Sequence, residues 1–289
     1  MFALTAQGAA DTQQSQDGSI APDDIGESER VDYSGKLRML SQRVVAAGCN
    51  YAADIDAERS GEVMRAARAE FELILDALEF GNPDLGIIGE ERHRKLVNRI
   101  AIMRELWMPI LTGLDAIEPG GDTPETVARL AQDSADLLEM ARQLVVEMAG
   151  QYSQAVGFKQ SHVLLVDVSG RQRMLTQRMS KNICLVSSGL NVETATAELE
   201  QTSKVFEASL FALYEGLPSS GIVPPPNETI ADSLEVVMAD WAELKPHVTA
   251  VLAGEALTGA VRSEVFHGMN RMTGNMNTAV GHYTEAAKR

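Results

Sequence analysis

DYSGKLRMLSQRVVAAGC (residues 32–49) and DVSGRQRMLTQRMSKNIC (residues 167–184) align without a gap at a single offset of 135 residues. That offset places Asp32 on Asp167, Gly35 on Gly170, Arg38 on Arg173, Gln42 on Gln177, Arg43 on Arg178 and Cys49 on Cys184. It persists beyond the two strings: Phe71 falls on Phe206, Leu75 on Leu210, Gly81 on Gly216 and Pro83 on Pro218. Self-similarity of this length marks a duplicated structural unit. Around the strings, apolar residues recur at helical spacing, as at Phe71, Leu75 and Leu78. Aromatic residues are few, while Ala, Leu, Val, Met and Glu are abundant, a mixture that favours helices packed on helices.

The spacing predicts helices over roughly residues 30–53, 57–80, 90–117 and 123–155 in the first half. In the second half it predicts helices over roughly residues 161–188 and 191–216, the latter capped by Asn191. A helix capped by Asn227 follows, and then a last one ending at Gly281-His282-Tyr283. Gly81-Asn82-Pro83 and Gly120-Gly121 read as stops, and Thr123-Pro124 as a start with Pro in the first turn. The expected architecture is all-α, two tandem four-helix bundle units related by a pseudo-twofold axis. Residues 1–28 read as a flexible leader or signal-peptide remnant, 29–156 as the first unit and 157–289 as the second. Two readings of the junction stay open: a break at Gly157, or a helix running straight through.

The chain has 289 residues and a formal charge of -16, which argues against non-specific binding to nucleic acid or to an anionic membrane. No apolar run approaches the roughly 20 residues that span a bilayer. Gly8-Ala9-Ala10 before Asp11 is similar to the small-residue end of a secretory signal, although a charged start and a long apolar core are missing.

On a helix of about 3.6 residues per turn, Val31, Gly35, Arg38, Gln42, Val45 and Cys49 form one stripe. Val166, Gly170, Arg173, Gln177, Ser180 and Cys184 repeat it. This is the seam spacing of two helices lying side by side. The expectation is that the two first helices meet across the pseudo-twofold axis, with Leu40, Val44, Ala47, Leu175 and Met179 turned to the core. Arg38 and Arg173 would then converge, and Gly35 and Gly170 would permit close approach. Two guanidinium groups repel unless an anion lies between them, and a planar oxyanion accepts paired N–H donors from both sides. Gln42, Gln177, Arg43 and Arg178 are candidate supporting residues. The competing reading is a basic helix face that is solvated or ion-paired with neighbouring Asp and Glu.

Ser34-Gly35-Lys36-Leu37-Arg38-Met39-Leu40-Ser41-Gln42-Arg43 and its second copy resemble the signature of PilJ/NarX-type sensory domains, the N-terminal domains of type IV pilus chemotaxis transducers. The resemblance implies a periplasmic four-helix sensor. It also implies that the Arg of Gly-x-x-Arg-Met, here Arg38 and Arg173, binds nitrate or nitrite at a two-fold interface. Members of this type usually carry membrane helices and an output module, and they hold one copy per chain. The expectation is therefore a soluble, periplasmic sensor without enzymatic activity or cofactor. It would bind a small oxyanion between its two halves and pass the ligand state to a signalling or transport protein. A cytoplasmic location is the alternative.

Other constellations compete less well. Cys49 and Cys184 lie 11 residues beyond the two arginines on the same face, so they are either a disulfide across the axis or two buried thiols. Glu-x-x-His occurs at Glu90–His93 and at Glu264–His267. Such pairs hold two metals in some helical bundles, but here they occupy non-equivalent places in the two copies. A metal-dependent enzyme and a ligand-free adaptor are the rival classes.

Overall fold

The computed structural model describes residues 26–120, 123–152 and 160–287. Most of the leader, residues 1–25, and the junction around Gly157 lie outside them. Among the described residues there are eight α-helices: α1 (Glu27–Ala52), α2 (Ala57–Phe80), α3 (Arg94–Ala116), α4 (Pro124–Tyr152), α5 (Gln160–Ser187), α6 (Val192–Glu215), α7 (Glu228–Leu252) and α8 (Gly259–Ala287). The all-α expectation holds.

Two helices carry the plan. Helix α1 lies against α2, α4 and α5, and α5 lies against α1, α6 and α8. Every residue from Leu37 to Gln42 is buried, as is every residue from Gln172 to Gln177. Six consecutive buried residues cover all faces of a helix, so these duplicated strings form the centre of the molecule. The other six helices surround them. Polar letters at the strings' centre therefore lie inside the molecule and face no solvent.

The duplication shows in how the elements end. Gly81 and Gly216 adopt φ of 83° and 86°, and each donates its N–H to the last turn, at Ala77 O and Ala212 O. A short 3-10 turn follows each glycine, Pro83–Leu85 and Pro218–Ser220, closed by the bridges Asn82–Ile87 and Leu217–Ile222. Trp107 stacks on Phe71 with centroids 4.0 Å apart, and Trp241 packs on Phe206 at 5.1 Å. Each indole N–H donates to the neighbouring glutamate, Glu72 or Glu207. Burying each such aromatic removes enough apolar surface to contribute about 2–3 kcal/mol.

Four local expectations change. Helix α1 begins at Glu27 and so includes the last two residues assigned to the leader. The third helix begins at Arg94, four residues later than the spacing suggests. The cause is the buried Glu91 carboxylate. It accepts the N–H groups of Arg92 and His93, an ion pair from Arg30 and a hydrogen bond from Tyr152, which holds residues 90–93 outside the helix. Asn191 precedes α6 but does not cap it; it sits at φ 47° and its side-chain amide donates to Ala128 O on α4. Asn227, in contrast, accepts from Ile230 N. The last helix continues through Gly281 to Ala287, because the buried Tyr283 anchors it by donating to Leu213 O. No helix among the described residues is long and apolar enough to cross a membrane.

Candidate functional site

Helices α1 and α5 run parallel and in register, since equivalent residues meet at two levels. At one level Cys49 and Cys184 form a disulfide, with Cα atoms 6.2 Å apart. Eleven residues earlier, about 16 Å along a helix at 1.5 Å rise per residue, Arg38 and Arg173 come together over the two glycines. A methyl group placed on Gly35 would lie 3.6 Å from Arg38 Nη2 and 3.9 Å from Arg173 Nη2. On Gly170 it would lie 3.4 Å from Arg173 Nη2 and 3.7 Å from Arg38 Nη2. Both Nη2 atoms are thus close to the same two points and are at most about 7 Å from each other. Glycine at both positions leaves the space the guanidinium groups occupy.

Burial makes this convergence costly. The Arg38 and Arg173 side chains are 7% and 2% exposed. Burial lowers the Arg38 pKa, Asp167 opposes that shift, and the charges of Arg171 and Arg173 add to it. The compensation is crossed between the repeats. Arg38 Nη1 pairs with Asp167 at 3.0 Å, and Arg173 Nη2 pairs with Asp32 at 3.3 Å. Each aspartate heads the string of the opposite copy.

The two halves are unequal. Arg173 Nη1 donates to Asn277 on α8 at 2.7 Å, and its Nε reaches Gly170 O at 3.5 Å, so all three of its nitrogens are engaged. Arg38 is bound through Nη1 alone; its Nε is buried without a partner, and its Nη2 has none among the described residues. Asp167 also accepts from Arg171 at 3.0 Å, whereas Lys36, the equivalent of Arg171, sits over the Tyr33 ring.

The candidate supporting residues point elsewhere. Gln42 Nε2 donates to Ser134 O on α4, and Gln177 Nε2 to Thr273 Oγ1 on α8, tying each central helix to its own unit. Arg178 pairs with Glu198 on α6 at 3.3 Å. Arg43 is held below its usual pKa by burial, against the charge of Glu70 on α2. The structure therefore brings Arg38, Arg173, Gly35 and Gly170 together and directs Gln42, Gln177, Arg43 and Arg178 to other helices. Sequence reasoning passed over Asp32, Asp167 and Asn277. The aspartates stood in the aligned strings, but crosswise pairing requires knowing that α1 and α5 are parallel.

The Glu-x-x-His motifs are separate structures. His93 Nδ1 lies 3.0 Å from Glu91, beside Tyr152 and Arg30, while His267 pairs with Asp56 at 2.7 Å across the two repeats. Among the described residues no group of three or more His, Cys, Asp or Glu side chains could hold a metal.

A family model for the N-terminal domain of type IV pili methyl-accepting chemotaxis transducers, PilJ, matches residues 26–133 and again residues 162–263. The chain belongs to this family. It carries two PilJ copies in tandem, and each match opens on a central helix with its Gly-x-x-Arg-Met string. PilJ membership makes it a sensory domain of the chemotaxis-transducer type. A comparison with curated proteins returned no match.

Proposed function

We propose that this PilJ chain is a sensor that binds one small planar oxyanion, nitrate or nitrite, between Arg38 and Arg173. The carrying observation is the convergence of both Nη2 atoms on the Gly35/Gly170 pair. Hydrogen bonds to such an anion are about 2.9 Å long, and two donors within about 7 Å of each other can both reach one small oxyanion lying to the side of the line between them. Arg38 Nε, buried without a partner among the described residues, supplies a further donor. Fixed, charged, bidentate donors in a partly desolvated seam favour a planar anion over a hydrated spherical one. Binding would alter how α1 and α5 pack, and a partner signalling or transport protein would read that change. The Cys49–Cys184 disulfide supports an oxidising, periplasmic location over a cytoplasmic one. We assign no reaction and no cofactor.

The test is calorimetric titration of nitrate at constant ionic strength, with chloride as control. Wild type is expected to bind one nitrate per chain, and the Arg38→Ala, Arg173→Ala double variant none. Two nitrates per chain would mean independent half-sites and break the model. The crossed ion pairs favour a second reading, a ligand-free adaptor whose arginines are already neutralised. That reading predicts no nitrate heat and no nitrate-specific shift in melting temperature.

A further inference from the structure

The two halves of the site hold their arginines differently, and the difference falls on the atoms that face the axis. Arg38 offers its axis-facing Nη2 without a partner among the described residues, because Asp167 is bound to Nη1, the other terminal nitrogen. Arg173 has its axis-facing Nη2 occupied by Asp32. An anion bridging both Nη2 atoms can therefore keep the Asp167 contact but must share Arg173 Nη2, which has two N–H donors, with the Asp32 carboxylate and lie against its negative charge.

We propose that Asp32 is an internal competitor that gates the oxyanion site, and that Asp167 is its counterpart in sequence with the opposite effect, positioning Arg38 for the ligand. The proposal rests on the anion reading and adds its regulation. Three further observations carry it. First, both aspartates are 30% exposed, but the Asp32 contact is the longer of the two at 3.3 Å against 3.0 Å, so Asp32 is the one more readily given up to water. Arg173 at 2% exposed cannot leave, and it needs a counter-charge in place at all times. Second, Asn277 and Gly170 O hold the rest of the Arg173 guanidinium still while its partner is exchanged. Third, an added anion on Arg173 Nη2 sets a second negative charge beside the Asp32 carboxylate, and the departure of Asp32 relieves that repulsion. Asp167 is anchored by Arg171 as well as Arg38, which identifies Asp32 as the one to leave. Asp32 lies on α1 and Arg173 on α5, so ligand binding breaks one of the two crossed ties between the repeats and leaves the other intact.

Opposite signs at equivalent positions give the test. Nitrate affinity is measured by calorimetry at fixed ionic strength for wild type, Asp32→Asn, Asp32→Ala and Asp167→Asn, with far-UV circular dichroism confirming the helical fold. The Asp32 variants are expected to bind at least about tenfold more tightly than wild type, and Asp167→Asn several-fold more weakly. Wild type that binds, with Asp32 variants no tighter, overturns the gate and leaves the site standing. Absence of nitrate binding in wild type and in every variant overturns the anion reading and the gate together. Binding by the Asp32 variants alone supports both, with the gate strong enough to mask the site.

Discussion

At Gly35 the chain accepts a weak helix former in the middle of its most buried helix. Replacing it with alanine favours the helix by about 1 kcal/mol. The new methyl meets only the far ends of two arginine side chains, at 3.6 and 3.9 Å. Gly35→Ala is therefore expected to raise the melting temperature by a few degrees while weakening nitrate binding, which a paired thermal melt and titration would show. A drop in both would mean that the backbone, and not the arginines, needs the glycine. Asp167 gives a second residue-scale expectation. Burial alone would raise its pKa, but the Arg171 hydrogen bond and the charges of Arg38 and Arg171 outweigh it and hold the carboxyl below its usual range. A carboxyl depressed in the folded state contributes stability above its unfolded pKa of about 4, and that contribution fades as the pH falls through the folded value. Acid titration of stability should accordingly be shallower below about pH 4 for Asp167→Asn than for wild type. The convergence of Arg38 and Arg173 was legible, because spacing by threes and fours fixes a helical face. The aspartates' role was not, because Asp32 lies off the centre of that face and its partner is 141 residues away.

Among the elements, the two inter-helix seams that should match do not. Five positions along α1–α2 are Leu37, Ala46, Ala47, Val63 and Ala67; their equivalents along α5–α6 are Gln172, Lys181, Asn182, Glu198 and Thr202. In the second copy Lys181 is buried beside Glu198 at 3.6 Å, and Arg178 and Asn182 share that carboxylate. Both amide atoms of Gln172 and the Thr202 hydroxyl are buried without partners. Polar groups left this way cost about 1–3 kcal/mol each, so α6 is held less firmly than α2. Burial pulls the Lys181 pKa down to about 8, against the opposing charge of Glu198. The unfolded chain then binds the proton more tightly than the folded one. Stability is expected to rise with pH between about 8 and the ordinary lysine value of about 10.4, and Lys181→Met to abolish that rise in urea titrations. Helix identity and most boundaries were readable from apolar spacing and glycine stops. The polar seam stood in the letters as well, but it acquires meaning only once α5 is known to lie on α6. The late start of α3 was hidden because Glu91 satisfies backbone N–H groups that a helix would otherwise have claimed.

For the whole molecule, the tie between repeats is covalent at one level and ionic at the other. The disulfide spans 135 residues, and a cross-link closing so long a loop restrains the unfolded chain by up to about 5 kcal/mol, with about 2–4 typical. The Cys49→Ser, Cys184→Ser variant is expected to lose stability in that range by denaturant unfolding, to match reduced wild type, and to retain a measurable nitrate response. The tandem arrangement itself was legible from one offset, since duplicated letters require duplicated structure. The meeting of α1 and α5 along one face followed from the seam spacing; their parallel register and the placement of six other helices around them did not.

A site assembled from two identical subunits sits on a true symmetry axis, and its ligand can lie there in two equivalent ways. Here one guanidinium is braced by Asn277 and the other is not, so an anion bound as proposed would find its two orientations unequal in energy and take up a single pose. The displacement of Asp32 proposed above would then have a direction along the chain. Each single-letter change falls on one half of the site only, so the response of each repeat can be tuned without touching the other.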